Sequence, residues 1–558
     1  MPPRVLIASP RLLLSLLLVA IFPCVSANAS AATARSGRLL VTLDQGAQSR
    51  ATTTALQRLG TRRDGEQVPE IRLVTVRPLA GQTLAATAAI LRRLPWVTAV
   101  TAERRHTLRY VPNDPALTQP ETASGTTAGT LRQWAAARLN LFAAWDVANG
   151  TNARVAIIDS GIDANHPEFA GKIFATIDND PTVANGPPER DEDGHGTHVA
   201  SQACAAGNNG RGIVGTGLNC SLLVIKSDLF DASVIKSIVD GADRGVDAIN
   251  MSFGNLGGEP VPPALVDAIN YAIDRDVVLV AAAANNNGGE EQGDPANVLQ
   301  PTGTGHDLTS NRGLSVTSAD YSGARSSFAG RGSQISLAAY GDYRSGGLTG
   351  PPGILGAFPA NHTFSDDQCS CFRTSINGDN RYGYLSGTSM AAPQVAGIAA
   401  LVGHLNPDLK APEIIRLLKE TATRPAGTSW GPDLGWGIVN ARAAIETARV
   451  IDRRPPRSKA RGPKRLRKTR TFTLKWTGTD LDKQFPNLVP SGIRRYYIYR
   501  SKNGGPYRRI ASTTKLRRKI TTKRGARYRF YTIAVDRKGN REQRPSRADV
   551  VLRVNRRR

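Results

Sequence analysis

Four short, nearly unbroken apolar runs punctuate the middle of the chain, at 155–158, 222–225, 248–251 and 277–281. Runs of strand length with no polar alternation predict strands buried on both faces, as in a parallel sheet. Between them, apolar residues recur at helical spacing over 198–206, 232–244 and 263–274. Strand and helix in alternation predict a doubly wound, mostly parallel α/β domain over residues 131–450. In such sheets the working groups gather beyond the carboxyl ends of the strands. Asp159, Ser252 and Asn285 each stand at or just after the end of one of these runs.

The flanks read differently. Strand-like runs at 39–43, 71–76 and 97–102, with helical stretches at 53–59 and 84–94, predict a small α+β unit within residues 30–130. Its tail, 113–130, is rich in Pro, Thr, Gly and Ser and reads as a linker. After a Pro- and Arg-rich linker over 451–470, aromatic alternation at 472–476, 496–499 and 528–535, punctuated by glycines, predicts a small antiparallel β-sandwich over 471–558. Residues 1–29 carry Arg4 and Arg11, an apolar stretch at 12–22 and Ala27-Asn28-Ala29, the pattern of a cleaved secretory signal. That stretch is too short to cross a hydrocarbon core, which needs about 20 residues. A secreted protein, not an integral membrane protein, is expected, and as a monomer.

Composition changes this picture in two places. Removal of the signal leaves Cys204, Cys220, Cys369 and Cys371. Outside the cell these can pair, and Cys204 with Cys220 is the first pairing to expect. Charge is concentrated at one end: from Arg453 onward there are 35 Lys and Arg against 5 Asp and Glu, +30 in a chain of net +26. The front of the chain is therefore mildly acidic and its tail strongly basic. The tail is suited to polyanions, such as an acidic cell-surface polymer or nucleic acid, although a merely solvated basic surface accounts for the same charge.

Four patches carry chemistry. Val155-Ala-Ile-Ile-Asp-Ser-Gly-Ile-Asp163 sets a carboxylate, Asp159, at a strand end where it can hold an imidazole. Asp193-Gly-His-Gly-Thr-His-Val-Ala200 sets His195 between two glycines at a helix start. Gly387-Thr-Ser-Met-Ala-Ala-Pro393 sets Ser389 where a helix begins and backbone N–H groups are free. Pro393 reads as a first-turn proline, which needs no N–H. Val280-Ala-Ala-Ala-Ala-Asn285 offers an amide at a strand end. Nucleophile, base, orienting acid and oxyanion donors are the parts that metal-free peptide hydrolysis requires.

In this order and spacing the patches resemble the subtilisin-like serine proteases, the subtilases, over roughly residues 133–448. The resemblance implies that Asp159 orients the base, His195 is general base and acid, and Ser389 is the nucleophile. It makes Asn285 the side-chain oxyanion donor, beside Ser389, and makes Ser252, Phe253 and Gly254 the strand that pairs with extended polypeptide substrate. No cofactor is implied for the chemistry. A structural calcium is implied at Glu168 and Asn209, although Glu stands where the family usually has Asp. Ala284 also departs from the family, which has Gly there. The 341–384 stretch looks like an insertion that either roofs the cleft or is a passive loop. His198, Ser386, Asp163 and His166 read as structural. Residues 30–130 resemble a subtilase propeptide, cut away between about 110 and 131, and 471–558 resembles a fibronectin type III-like module with Tyr528 as its tyrosine corner. An endopeptidase is the leading reading, and a surface-binding protein on a protease scaffold is the alternative.

Overall fold

The computed structural model describes residues 35–44, 50–59, 61–78, 82–104, 110–182, 186–255, 257–309, 312–344, 347–368, 373–424, 429–467 and 470–556. The expected signal peptide and the Cys369/Cys371 pair lie outside these residues. Two compact units divide the chain, one ending at Leu108 and the other beginning at Arg109.

The first unit is a four-stranded antiparallel sheet in the order β2-β3-β1-β4, from β1 (Arg35–Leu43), β2 (Thr61–Val68), β3 (Leu73–Pro78) and β4 (Val97–Arg104). Helices Arg50–Arg58 and Leu84–Leu91 complete it. Its core is small: Leu39, Val41, Leu56, Val76 and Leu91 are all but fully buried. β2 is an addition to the expected elements.

The second unit is built on seven parallel strands in the order β11-β10-β9-β8-β5-β7-β6. These are β5 (Arg154–Asp159), β6 (Ile173–Asn179), β7 (Ser221–Ser227), β8 (Ala248–Met251), β9 (Val278–Ala282), β10 (Leu314–Ala319) and β11 (Leu337–Tyr340). Successive residues of each strand feed opposite faces. Val155, Ile157, Leu222 and Val280 join a core with the helices His195–Cys204 and Thr388–Leu405. Ala156, Ile158, Leu223 and Met251 join a second core with helices Asp231–Asp243 and Pro263–Ile273. Burial on both faces is why the runs show no alternation. Cys204, ending its helix, is disulfide-bonded to Cys220, just ahead of β7, across a separation of 16 residues. Closing a loop of that length stabilises by about 3 kcal/mol on chain-entropy grounds.

A small antiparallel sheet, β12 (Ile354–Ala357), β13 (Arg373–Ile376) and β14 (Asp379–Leu385), forms the insertion ahead of helix Thr388–Leu405. The carboxyl-terminal part is a sandwich of two sheets, β15-β17-β20 and β16-β22-β21-β18-β19. Its strands are β15 (Arg457–Arg461), β16 (Arg465–Leu466), β17 (Thr471–Thr479), β18 (Ile493–Lys502), β19 (Arg508–Thr513), β20 (Arg517–Thr521), β21 (Arg527–Asp536) and β22 (Val550–Val554). Trp476, Ile498, Phe530 and Leu552 fill the space between the sheets. The Tyr528 hydroxyl accepts from the Lys523 N–H at 2.9 Å.

Two expected linkers are corrected. Residues 113–117 are folded into the second unit: Asp114, Pro115, Ala116 and Leu117 are buried, and the Asp114 carboxylate takes the Asn208 N–H at 2.7 Å. Residues 451–470 contain β15 and β16. In β15 only Ala460 is buried while its charged neighbours face outward, so little apolar signal betrays the strand. Among the described residues no helix is long and apolar enough to cross a membrane.

Candidate active site

Asp159 is the last residue of β5 and is nearly buried, at 3% exposure. Its Oδ1 sits 2.8 Å from His195 Nδ1. The same oxygen accepts from the Ser160 N–H at 2.8 Å, so the carboxylate is anchored before it meets the ring. His195 opens the helix His195–Cys204, three residues earlier than the apolar spacing predicts, with Gly194 before it at φ +89°. An added Cβ at Gly194 would fall 2.7 Å from Thr363 Oγ1, and one at Gly196 would fall 2.2 Å from the Gly161 carbonyl. The glycines on either side of the histidine are thus demanded by close approach.

Sequence reading missed what holds this helix. Asp191 is 5% exposed and takes the N–H groups of Gly194 (2.9 Å) and Thr197 (2.8 Å), the Thr197 hydroxyl (2.6 Å) and the Ser160 hydroxyl (2.9 Å). It satisfies the free donors of the helix start and ties them to the residue after Asp159. An aspartate just ahead of a helix is the available signal. The insertion braces the same loop: Ser365 Oγ donates to Asp193 Oδ1 at 3.0 Å, and Phe364 N–H to the Glu192 carbonyl at 3.0 Å. Arg373 fixes that brace by gripping Asp366 through two bonds of 2.7 and 2.6 Å, and holds the Asp366 carboxyl down at about 2.

Burial alone would lower the pKa of the His195 imidazole. The charge and hydrogen bond of Asp159 outweigh it, with Asp193 and Asp191 adding, and hold the ring at about 9. The neighbouring His198 is its opposite. Fully buried, with Nε2 on the Ile354 carbonyl at 3.0 Å, it is pushed down to about 3 and stays neutral. Likewise Ser386 is spent on Asp342 and the Pro352 carbonyl, and His166 on the Arg381 carbonyl.

Ser389 is the second residue of the buried helix Thr388–Leu405. Pro393 is the sixth residue of that helix and lies beyond the first turn, which corrects the expectation above. It has no N–H for the Ser389 carbonyl four residues back. The Ser252 hydroxyl fills the vacancy, donating to Ser389 O at 2.9 Å and receiving from Asn250 Nδ2 at 2.9 Å. In return, Ser389 Oγ donates to Ser252 O at 3.0 Å, and among the described residues no hydrogen bond joins it to His195. Loose nucleophile–base geometry is common before substrate enters.

Asn285, exposed beyond the end of β9, has its Oδ1 fixed by the Thr388 N–H at 3.1 Å and the Thr388 hydroxyl at 3.0 Å. That turns Nδ2 toward Gly387. A Cβ added to Gly387 would lie 3.5 Å from Asn285 Nδ2 and 3.6 Å from Ser389 N, so these two donors flank one small space. Ser252 itself is buried, with its side chain committed to the helix, whereas Phe253 is half-buried and Gly254 exposed.

The Subtilase family model matches residues 150–437, a span that holds all these groups. The chain is a subtilase. Thermitase of Thermoactinomyces vulgaris is 31% identical over 347 residues, 60% of this chain and 100% of thermitase. A calcium-dependent protease of Trichormus variabilis and an extracellular protease of Xanthomonas campestris are each 29% identical, and this chain spans 49% and 57% of their lengths. The subtilase is accordingly a serine protease, a hydrolase acting on polypeptides.

The residues expected to hold calcium do meet. Asn209 Nδ2 lies 3.1 Å from Glu168 Oε2, while Oε1 takes the Ile213 N–H and the Tyr382 hydroxyl, each at 2.9 Å. Burial raises Glu168 to about 8, with the charge of Asp114 adding to the effect. Carboxylate and amide oxygens are the hard donors calcium prefers. Here, though, Asn209 turns its amide nitrogen to Glu168 while its Oδ1 takes the Arg211 N–H at 2.8 Å. A cation would have to displace these bonds, in exchange for offsetting the cost of ionising a buried carboxyl.

Proposed function

We propose that the subtilase is a secreted endopeptidase that works through an acyl-enzyme on Ser389. Ser389 Oγ attacks the scissile carbonyl as His195 Nε2 takes its proton. Asp159 holds the ring through Nδ1 and stabilises the imidazolium that forms. The tetrahedral oxyanion settles between Asn285 Nδ2 and Ser389 N–H. His195 returns the proton to the leaving amine, and water then releases the acyl group. Ser252, Phe253 and Gly254 receive the substrate main chain as an added strand. The 2.8 Å contact between His195 and Asp159 carries this reading, because it fixes which ring nitrogen is left for the serine. Labelling the secreted protein with a fluorophosphonate, wild type beside Ser389→Ala, tests it. Label on the wild type alone supports an activated serine, and a folded wild type that takes no label refutes it.

The pH profile is a sharper check. Only neutral imidazole can accept the proton, and His195 titrates at about 9, above the ordinary 6.5. At pH 7 only a small minority of the free enzyme would then be competent. kcat/KM on a small peptide amide should therefore rise about tenfold per unit from pH 6 to 8 and level near pH 9. Asp159→Asn should move that rise to lower pH while dropping the plateau by about 10⁴-fold. A wild-type plateau already reached at pH 7 would contradict the coupling.

Residues 30–130 are proposed as a propeptide that assists folding and is then cut away between about 110 and 131. The supports are its position, its size and the separate compact unit that ends at Leu108, whereas residues 113–117 belong to the second unit. Secretion rests on the signal-like first 29 residues and on the extracellular relative. The carboxyl-terminal sandwich is proposed as a fibronectin type III-like module, on its two-sheet form and the Tyr528 bond. A structural calcium is proposed at Glu168 and Asn209, which would stabilise the fold without entering the reaction. A chelator should then lower Tm by several degrees at pH 8. The loss should be smaller at pH 5.5, where protons compete for Glu168, and absent in Glu168→Gln. Equal Tm with chelator and with calcium at pH 8 would exclude the site.

A further inference from the structure

Strand register places six cations on one face of the sandwich, Arg457 at one end of it and five others clustered together. In the β15-β17-β20 sheet, Arg461 pairs with Lys475, and Lys475 pairs with Arg517, so three cations stand in one row across three strands. Lys459 lies two residues along β15, and Lys519 two residues along β20 opposite Thr473. All five are exposed, and they alternate with residues such as Ala460, Leu474 and Ile520 that point into the core. Strands sit about 4.8 Å apart, and like charges directly opposed across a sheet destabilise it. Folding alone gives no reason to line them up.

Internal acid does not neutralise the row. The five acidic residues beyond Arg453 are all engaged elsewhere. Asp480 takes the Gly492 N–H, Asp482 takes Arg454, and Asp536 takes Asn540. Glu542 takes the N–H groups of Ser458 and Ala534, and Asp549 those of Ala460 and Thr532. Among the described residues none of the five clustered cations makes an ion pair. The rest of the face is Arg457 and threonine: Thr471, Thr473, Thr477, Thr479 and Thr521 share it.

We propose that this face binds a linear phosphodiester chain that carries no bases, held by its backbone charge alone. Lys, Arg and Thr are the side chains that position phosphate oxygens, and the sheet can accept a chain laid along the row. The choice against nucleic acid rests on the aromatics. Single strands are gripped by stacking bases on open rings, and this face has none. The tyrosines of the opposite sheet are already covered: Arg509 lies 5.0 Å and Arg541 5.4 Å from the Tyr497 ring centre, and Arg544 lies 5.2 Å from that of Tyr507.

The test measures binding of poly(glycerol phosphate) to the full chain, with its protease activity chemically blocked, across a salt series. Arg461→Gln/Lys475→Gln/Arg517→Gln should weaken binding by roughly 10-fold or more at 0.1 M salt and take about 2 from the slope of log K on log salt. Tm should hold or rise as the repulsion is relieved, and peptide turnover by the unblocked variant should be unchanged. Lys475→Gln alone, at the centre of the row, should show the same trend if the triple variant folds poorly. Arg508→Gln/Arg524→Gln/Arg553→Gln removes equal charge elsewhere and should cost much less. Equal loss in that control would mean net charge rather than this face governs binding, and would overturn the proposal. An oligo(dT) of equal charge bound tenfold tighter than the polymer would overturn it in favour of a base-reading site.

Discussion

Ser389→Ala should lower peptide hydrolysis by about 10⁶-fold while leaving a folded protein. The hydroxyl makes one hydrogen bond, to the Ser252 carbonyl, so its removal costs only about 1 kcal/mol of stability. The helix that carries residue 389 is buried along nearly its whole length, and its start is held independently by Thr388 on Asn285 and by Ser252 on the residue 389 carbonyl. The loss will therefore fall on kcat, with KM little changed, because ground-state contacts to substrate stay in place. If the chain removes its own amino-terminal unit, the same variant will accumulate as the full-length precursor. Mass and turnover of the secreted product check both points. Normal maturation with normal turnover would mean that another nucleophile operates.

Gly387→Ala should damage the reaction, though far less than loss of the Ser389 hydroxyl, and spare the fold. Residue 387 has φ +162°, extended backbone that any residue adopts. The nearest atoms to the new methyl, at 3.5 and 3.6 Å, are at ordinary contact distance. Those atoms are Met390 Sδ and, on the other sides, Asn285 Nδ2 and Ser389 N, the two donors proposed for the oxyanion, so the methyl would stand close to both donors. Removing one such donor costs about 10²–10³ in turnover, so Gly387→Ala should lose at least 10²-fold in kcat with Tm within a degree or two of wild type. Asn285→Ala should cost a similar factor. The two changes act on one space, so the double variant should lose little more than the worse single. Full activity in Gly387→Ala would place the oxyanion somewhere else.

How much of this was legible in the sequence follows from which residues do apolar work. β5, β7, β8 and β9 were readable because both of their faces are buried. β10, Leu-Ser-Val-Thr-Ser-Ala, is just as buried, but Ser315, Thr317 and Ser318 hide it; the Thr317 hydroxyl donates to the Gly330 carbonyl and the Ser318 hydroxyl bonds that of Ser326. β6 is an edge strand with mixed exposure, and β11 is a short run of four residues. β2 and β15 are written largely in charged residues, so strand propensity there yields to sheet context. At the site, Asp159, His195, Ser389 and Asn285 could be named because the chemistry dictates their types. Asp191, Ser160 and Thr388 could not, because they hold backbone and amide groups in place, a task that many polar residues can perform. Pro393 was misplaced for a related reason. Its effect depends on where the helix begins, and spacing alone does not fix that within a turn.

The paired bonds between Ser252 and Ser389 form an interlock. At rest the hydroxyl of Ser389 is spent on the carbonyl of Ser252, a group on the strand proposed above to receive the substrate main chain. A guest that brings its own N–H to that carbonyl evicts the hydroxyl and frees it to turn toward the imidazole. Docking and arming then become one exchange of partners. An ester with no N–H to offer has no such key, so the enzyme would favour an extended peptide over a more reactive but mute compound by the way it is latched.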